Sequence, residues 1–257
     1  MNISNRRPLI ASIAAALLAL GVSLQVHAAP VRNVVLVHGA FVDGSGWKPI
    51  YEILVRDGYH VSVVQPPLTG LEEDVAAVTR ILKLQDGPTI LVGHSYGGAI
   101  ITEAGAESHV VGLVYIAAHA PDVGETQAEN GKRFPAAGRG AIETTDDGYA
   151  FIDPEKFPAD FAADLPKQQA EFEAIGQMFT AAAAFSTPIK SAAWKTKPSW
   201  YMIPTSDRII NPDLERMYAK RAHSTTIEIE GASHSVYASH PKDVARLIED
   251  TAQGARR

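Results

Sequence analysis

Four short runs of Val, Ile and Leu, in which polar residues do not alternate, constrain the fold of this chain most strongly. They lie at 34–37, 61–64, 89–92 and 110–117. A strand with one face in water alternates apolar and polar residues, whereas a strand in a parallel sheet is covered on both faces. The segments between the runs carry apolar residues at the three-to-four spacing of helices. The chain is therefore predicted to be an α/β protein with a mostly parallel sheet.

The pattern changes after Pro121. Turn dipeptides such as Asn-Gly and Asp-Gly follow, and then a helix is predicted from about Asp164 to Phe185. Strand character returns at 200–203 and 225–229. Because the βα alternation resumes after the interruption, we interpret 29–257 as a single domain with a cap insertion at about 122–194.

The first 28 residues carry the features of a secretory signal peptide. Arg6 and Arg7 precede the apolar stretch 9–24, and Val-His-Ala at 26–28 offers small residues at a cleavage site. The alternative is an uncleaved membrane anchor, but the apolar stretch has roughly 16 residues, fewer than the ~20 that span a bilayer. We expect cleavage, secretion to the periplasm, and no stable membrane association afterwards.

Charge and composition exclude several classes of partner and chemistry. The chain of 257 residues has 23 Lys and Arg against 29 Asp and Glu, a net charge of −6, so nucleic acid is not expected as a partner. The absence of cysteine excludes disulfides, thiolate metal ligands and a cysteine nucleophile. No clustered set of His, Asp and Glu suggests a metal site. Composition does not indicate the oligomeric state.

A nucleophile motif follows the third apolar run. Gly93-His94-Ser95-Tyr96-Gly97 directly succeeds a predicted strand and precedes a predicted helix. In that context, G-x-S-x-G forms a sharp elbow that raises the serine above the sheet edge, and its glycines occupy positions where side chains would clash. Ser95 is therefore the candidate nucleophile.

A serine nucleophile needs a base and an acid, and both follow in the chain order expected for this motif. Asp207 comes just after the predicted strand 200–203, and His234 comes just after the predicted strand 225–229. Parallel strands deliver these residues to one edge of the sheet. Asp213 also follows the first of these strands and competes for the role of the acid, although it is expected to lie at the start of a helix.

Two backbone N–H groups are expected to form an oxyanion hole. One natural donor is the amide of Tyr96, which directly follows Ser95. The second should come from the turn after His38 and Gly39, where Ala40 is the first candidate and Phe41 the second.

Taken together, the segments 34–47, 91–98 and 115–121 resemble the α/β-hydrolase superfamily, and within it bacterial esterase-like proteins related to plant methylesterases and hydroxynitrile lyases. The resemblance implies an eight-stranded, mostly parallel sheet with helices on both faces, a helical cap and a cofactor-free serine hydrolase. The lyase branch typically has threonine where this chain has Gly39, and lysine where it has Ser235. These departures favour an esterase.

The leading hypothesis is a carboxylesterase-like enzyme for small to medium uncharged esters, because the cap segment is rich in phenylalanine. Two alternatives use the same fold. One is a cofactor-free perhydrolase or haloperoxidase-like activity, in which peroxide competes with water. The other is a non-catalytic protein that binds a small ligand in the hydrolase pocket.

Overall fold

The computed structural model describes residues 30–255, so the predicted signal peptide at 1–28 lies outside the described residues. The strands are β1 (Asn33–Val37), β2 (His60–Val64), β3 (Thr89–His94), β4 (Val110–Ile116), β5 (Ile142–Thr144), β6 (Tyr149–Ile152), β7 (Thr180–Ala181), β8 (Ser199–Pro204) and β9 (Thr225–Ile229). The helices are α1 (Lys48–Arg56), α2 (Leu71–Leu82), α3 (Tyr96–Ala104), α4 (Gln127–Arg133), α5 (Phe157–Asp160), α6 (Lys167–Ile175), α7 (Pro212–Arg221), α8 (Val236–Ser239) and α9 (Pro241–Gly254).

The central sheet has six strands in the order β2-β1-β3-β4-β8-β9, and every neighbouring pair is parallel. Every residue of β1 and β3 is buried, which explains why these segments show no polar alternation. In β1, Val35 and Val37 pack on one face of the sheet, while Val34 and Leu36 pack on the other. The predicted α/β fold with a mostly parallel sheet is confirmed.

The number of strands differs from the prediction. The resemblance implies eight, whereas the described residues build a central sheet of six. β1 begins at Asn33, only three residues after the first described residue, Pro30, so the described chain has no length for further strands ahead of it.

The helices cover both faces of the sheet. α1 and α9 contribute Ile50, Leu54, Val244 and Ile248 to the core on one face. The residues of α2, α3 and α7 form the core on the other face, and that core continues into the cap. Burial on both faces therefore leaves the carboxyl ends of the strands as the place where loops can form a site.

The segment between β4 and β8 contains a second sheet beside its helices, which corrects the prediction of a helical cap. β5, β6 and β7 form a small antiparallel sheet beside α4, α5 and α6. The helix predicted from Asp164 to Phe185 is shorter, because α6 runs only from Lys167 to Ile175 and Gly176 caps it. Gln177 then exchanges two hydrogen bonds with the backbone of Ile152 in β6, at 2.9 and 2.7 Å, which directs the chain into β7.

The apolar residues that favoured the longer helix do not form a buried face. Phe172 and Ile175 are 74% and 80% exposed, and Phe179 is 49% exposed. Their three-to-four spacing therefore does not reflect burial.

None of the helices in the described part of the chain combines the length and the hydrophobicity of a membrane span.

An ion pair ties the start of the cap to α7. Arg221 donates to both carboxylate oxygens of Glu125, at 2.7 and 3.0 Å, and its guanidinium lies 5.1 Å from the ring of Trp194. Glu125 also accepts hydrogen bonds from the amide of Asp122 and the side chain of Asn130, both at 2.9 Å. Burial alone would raise the pKa of Glu125, but these hydrogen bonds outweigh it and lower the pKa to about 2.

We expect Glu125→Gln to lower the stability of the protein by roughly 1–2 kcal/mol at pH 7, since it leaves Arg221 without its counter-charge. Because the pKa of Glu125 is lower in the folded protein than in the unfolded chain, its carboxylate stabilises the folded state above about pH 4.5. This stabilisation disappears as the pH falls towards 2. Thermal melts at pH 7 should show a decrease in Tm of roughly 2–8 °C, and the difference from wild type should shrink on acidification.

Glu52→Gln is the matched control, because Glu52 forms only an exposed pair with Lys48 at 3.8 Å. Its Tm should stay within about 2 °C of wild type. Equal melting temperatures for Glu125→Gln and wild type at pH 7 would show that the ion pair contributes nothing to stability.

Candidate active site

Ser95 lies at a sharp turn between β3 and α3. Its backbone has φ +54° and ψ −123°, a strained conformation for a residue with a side chain. The turn requires glycine at position 93, because a Cβ there would come within 2.6 Å of the carbonyl oxygen of Gly97. The elbow places Ser95 beyond the carboxyl end of β3, with the N-terminus of α3 behind it.

The structure brings the three predicted side chains together. His234 Nε2 lies 2.8 Å from Ser95 Oγ, and His234 Nδ1 lies 2.6 Å from Asp207 Oδ2. The side chains of His234 and Asp207 are both 0% exposed. Since a carboxylate can only accept, Nδ1 carries the proton, and Nε2 is free to accept the hydroxyl proton of Ser95.

Asp207 is oriented by the backbone that follows it. Its Oδ1 accepts hydrogen bonds from the amides of Ile209 at 2.7 Å and Ile210 at 2.9 Å, which leaves Oδ2 for His234. The competing acid, Asp213, is exposed in the first turn of α7 and pairs with Arg216 at 2.8 Å. Its position therefore fits the helix-end role rather than that of the acid.

The two predicted oxyanion donors are free. Within residues 30–255, the N–H groups of Ala40 and Tyr96 make no hydrogen bond. The N–H of Phe41, the second candidate, instead donates to Thr180 Oγ1 in the cap at 3.4 Å. The turn lies against the nucleophile, because a Cβ on Gly39 would come within 2.6 Å of Ser95 Cβ.

Because of that contact, Gly39→Thr tests whether ester hydrolysis requires glycine at this position, where the lyase branch typically has threonine. The new Cβ would also come within 2.9 Å of the carbonyl oxygen of His94, so the turn or the elbow must shift. A displacement of about 1 Å at reacting groups can cost about 100-fold in rate. We expect a loss of that size in kcat/KM for ester hydrolysis, with the far-UV circular dichroism spectrum unchanged.

Gly140→Ala serves as the control for Gly39→Thr, because a Cβ at Gly140 would meet nothing within 4 Å. Its kcat/KM should stay within about twofold of wild type. Retention of most activity by Gly39→Thr would mean that the turn after β1 does not position an oxyanion donor.

The loop that carries His234 is held by residues of the cap. The Phe161 carbonyl accepts a hydrogen bond from the amide of Ser235 at 3.0 Å, and the Phe161 ring lies edge-on to the His234 ring at 4.7 Å. Asp164 accepts from the amide and hydroxyl of Ser233, and from the hydroxyl of Ser239 at 2.7 Å. The sequence predicts neither Phe161 nor Asp164 as a site residue, because about seventy residues separate them from His234 along the chain.

His94, the second residue of the elbow motif, also contacts this loop. Its Nε2 donates to the carbonyl oxygen of His234 at 3.0 Å, while its Nδ1 has no partner among the described residues. Burial lowers the pKa of His94 well below its usual range, so it is neutral. The residue before the nucleophile therefore bonds to the backbone of the base.

A second buried acid lies behind Asp207. The Glu215 side chain on α7 is inaccessible, and neither of its oxygens has a donor among the described residues. Burial raises the pKa of Glu215 well above its usual range, and the nearby negative charge of Asp207 raises it further. Burial therefore favours the neutral form of Glu215, although its helical position gave no sign of this in the sequence.

A cavity of about 270 Å³ opens above the serine, slightly smaller than typical ligand pockets. Its buried end contains Ser95, Tyr96 and Ala40, and its apolar walls include Phe134 and Phe185. Most of the other phenylalanines of the cap segment pack elsewhere.

His119 also lines this cavity, with Nδ1 3.5 Å from Tyr218 Oη. Burial lowers the pKa of His119 to about 3, with a smaller contribution from His234, so the side chain is neutral near pH 7.

In the described part of the chain, no three His, Asp or Glu residues are grouped to hold a metal ion.

Comparisons with known proteins agree with this geometry. A family model described as "Alpha/beta hydrolase family" matches residues 34–247. A pyrethroid hydrolase of Sphingobium wenxiniae is 27% identical over 252 residues, covering 86% of this chain and 88% of that protein. The α/β hydrolase nvfD of Aspergillus novofumigatus is also 27% identical, covering 73% of this chain and 80% of that protein.

Solved structures show the same fold. A crystal structure of the pyrethroid hydrolase PytH with BIF superposes with a TM-score of 0.75 at 24% identity, covering 87% of this chain and 98% of that chain. The Arabidopsis methylesterase MES16 gives a TM-score of 0.74 at 18% identity, covering 87% and 100% of the two chains. Polyneuridine aldehyde esterase gives 0.72 at 15% identity, covering 86% and 98%.

Proposed function

Because this chain belongs to the alpha/beta hydrolase family, we propose that it is a serine hydrolase that cleaves carboxylic esters of small to medium size. The observation that carries the proposal is the continuous hydrogen-bonded chain from Ser95 through His234 to Asp207, beside two unpaired backbone donors. Relatives that are named as a pyrethroid hydrolase and as esterases support ester cleavage.

In the proposed reaction, His234 Nε2 removes the proton of Ser95 as Oγ attacks the ester carbonyl carbon. The carbonyl oxygen becomes an oxyanion, which the N–H groups of Ala40 and Tyr96 stabilise by about 3–4 kcal/mol each. His234 then gives its proton to the departing alcohol, and an acyl-enzyme remains on Ser95. Water, deprotonated by the same nitrogen, attacks the acyl carbon and releases the acid.

The substrate size follows from the cavity. Its volume of about 270 Å³ and its phenylalanine walls suit an ester that is apolar and uncharged around the reacting carbonyl. The pyrethroid hydrolase relative is consistent with an apolar acyl or alcohol group next to the scissile bond.

A fluorophosphonate probe and a panel of p-nitrophenyl esters test this function. We expect the probe to label the peptide that contains Ser95, and short esters to be turned over with a burst if deacylation is slow. Binding of esters without labelling or turnover would contradict the proposal and favour a non-catalytic ligand binder.

We also propose that the protein is exported to the periplasm, on the basis of Arg6, Arg7 and the apolar segment 9–24. Expression of the full chain in a Gram-negative host should yield a periplasmic protein that begins near Ala29. An intact Met1 terminus in the membrane fraction would contradict cleavage.

A further inference from the structure

The exposed end of the cavity is basic, although the chain as a whole has a net charge of −6. Lys132 and Arg139 line the cavity, and both are exposed. None of the residues that line this cavity is Asp or Glu. Within residues 30–255, neither Lys132 nor Arg139 forms an ion pair or a side-chain hydrogen bond. Two uncompensated cations thus lie where a ligand would enter.

Helix electrostatics explains only part of this arrangement. Lys132 lies in the last turn of α4, where a cation is favoured by the helix dipole. Arg139 lies beyond that helix, in a short 3-10 turn, so the dipole of α4 does not explain its position. Asp160, whose side chain lies against Gly138, is engaged by Arg208 at 2.7 Å.

Gln127 is another polar side chain in the lining of this cavity. Its side chain belongs to a residue that is only 6% exposed, and Oε1 has no hydrogen-bond donor among the described residues. Rotation of the terminal amide would instead present its two N–H donors to the cavity. A buried amide oxygen without a partner is costly in the free protein, and this cost is removed when a ligand supplies a hydrogen bond to the amide.

The cavity therefore has three chemical zones. Ser95 and the oxyanion donors lie at the buried end, and apolar rings form the walls. Lys132 and Arg139 supply cations at the exposed end, and Gln127 adds a buried amide to the lining. We propose that the substrate is an ester with a negatively charged group, such as a carboxylate, at the end away from the scissile carbonyl. Lys132 and Arg139 bind this anion.

This inference rests on the proposed esterase function and refines its substrate class. The sequence favoured an uncharged ester, and the apolar walls keep that expectation for the atoms around the reacting bond. Exposed charges contribute modestly to binding, so we expect the two cations together to change KM by roughly 5- to 30-fold at low salt. The effect should decrease as the ionic strength rises, because these charges are in contact with water.

The test uses two matched pairs of esters. The acyl pair is the mono-p-nitrophenyl ester of adipic acid against p-nitrophenyl heptanoate. The alcohol pair is 4-butyryloxybenzoate against its methyl ester. In this pair the negative charge lies on the alcohol part of the butyrate ester, on the other side of the scissile bond. For each pair, kcat and KM are measured for the wild type and for the Lys132→Gln, Arg139→Gln double variant, at low and at high salt.

We expect the double variant to raise KM for the anionic member of at least one pair by 5- to 30-fold at low salt, while its neutral partner stays within twofold. Each KM is compared between the variant and the wild type on the same ester, so differences in leaving group and acyl chain cancel. The control is Arg80→Gln with Lys83→Gln, which removes the same charge from the end of α2, away from the cavity. The control should leave all four values of KM within twofold.

Three outcomes would overturn the inference. The double variant could leave both anionic esters unaffected, or lower the turnover of neutral and anionic esters alike, or match the control variant. Turnover of the neutral esters in any of these cases would leave the esterase proposal standing. Failure of all four esters to react, together with absence of fluorophosphonate labelling, would overturn both.

Discussion

Replacement of Ser95 by alanine should remove nearly all ester hydrolysis while the protein remains folded. The hydroxyl is the attacking group, and loss of a triad nucleophile in a serine hydrolase lowers kcat by about 10⁶. The folded state loses one hydrogen bond, from Ser95 Oγ to His234, which contributes about 1 kcal/mol. Steady-state kinetics, circular dichroism and fluorophosphonate labelling of the purified variant together measure these effects.

Ser235→Ala is a suitable control for Ser95→Ala, because Ser235 is buried next to His234 and its hydroxyl has no partner in the described chain. It should keep kcat within a few-fold of wild type. EDTA should leave both proteins unchanged, since no step of the proposed reaction uses a metal. Activity within tenfold of wild type after Ser95→Ala would place the nucleophile elsewhere.

Asp207→Asn should lower kcat by about 10⁴ without unfolding the protein. The NH2 group that replaces Oδ2 donates to His234 Nδ1 instead of accepting from it, so the ring loses its reactive tautomer, and the neutral amide no longer offsets the charge of the imidazolium. The carbonyl of the new side chain can still accept from Ile209 and Ile210, and therefore the loop should keep its conformation. The kinetics of the variant at several pH values measure the loss.

Asp213→Asn provides the matched comparison on the same loop and helix. Asp213 is exposed and pairs only with Arg216, at 2.8 Å, so its replacement should change kcat by less than threefold. At most, the melting temperature should fall slightly. The reverse ranking of the two variants would identify Asp213 as the acid and contradict the geometry at His234.

Much of the fold and the meeting of Ser95, Asp207 and His234 could be predicted from sequence, for one physical reason. Strands buried on both faces are recognisable as unbroken apolar runs, and parallel strands bring their following loops to a common edge. Residues that follow the parallel strands β3, β8 and β9 therefore lie close together at that edge, whatever their separation in the chain. The same argument selected Ala40 over Phe41 only weakly, and the cap residue Thr180 is what occupies the Phe41 amide.

The cap could not be predicted in the same way. Its strands are two to four residues long, and β5 is exposed along its length, so no hydrophobic period identifies it. α6 carries Phe172 and Ile175 towards solvent, which reverses the usual meaning of an apolar spacing. Glu215 illustrates a second limit, because its burial depends on the packing of α7 against β8, and its raised pKa depends on that burial and on the neighbouring Asp207.

The bonds from Phe161 and Asp164 to the His234 loop have a consequence for protein engineering. Residues 122–194 look like an exchangeable module that could be transplanted to alter substrate preference, but Asp164 and Phe161 hold the backbone on both sides of the base. A transplanted cap would therefore change the placement of the proton acceptor along with the shape of the pocket. Chimeras should be recombined so that residues 157–164 and 231–239 always come from the same parent.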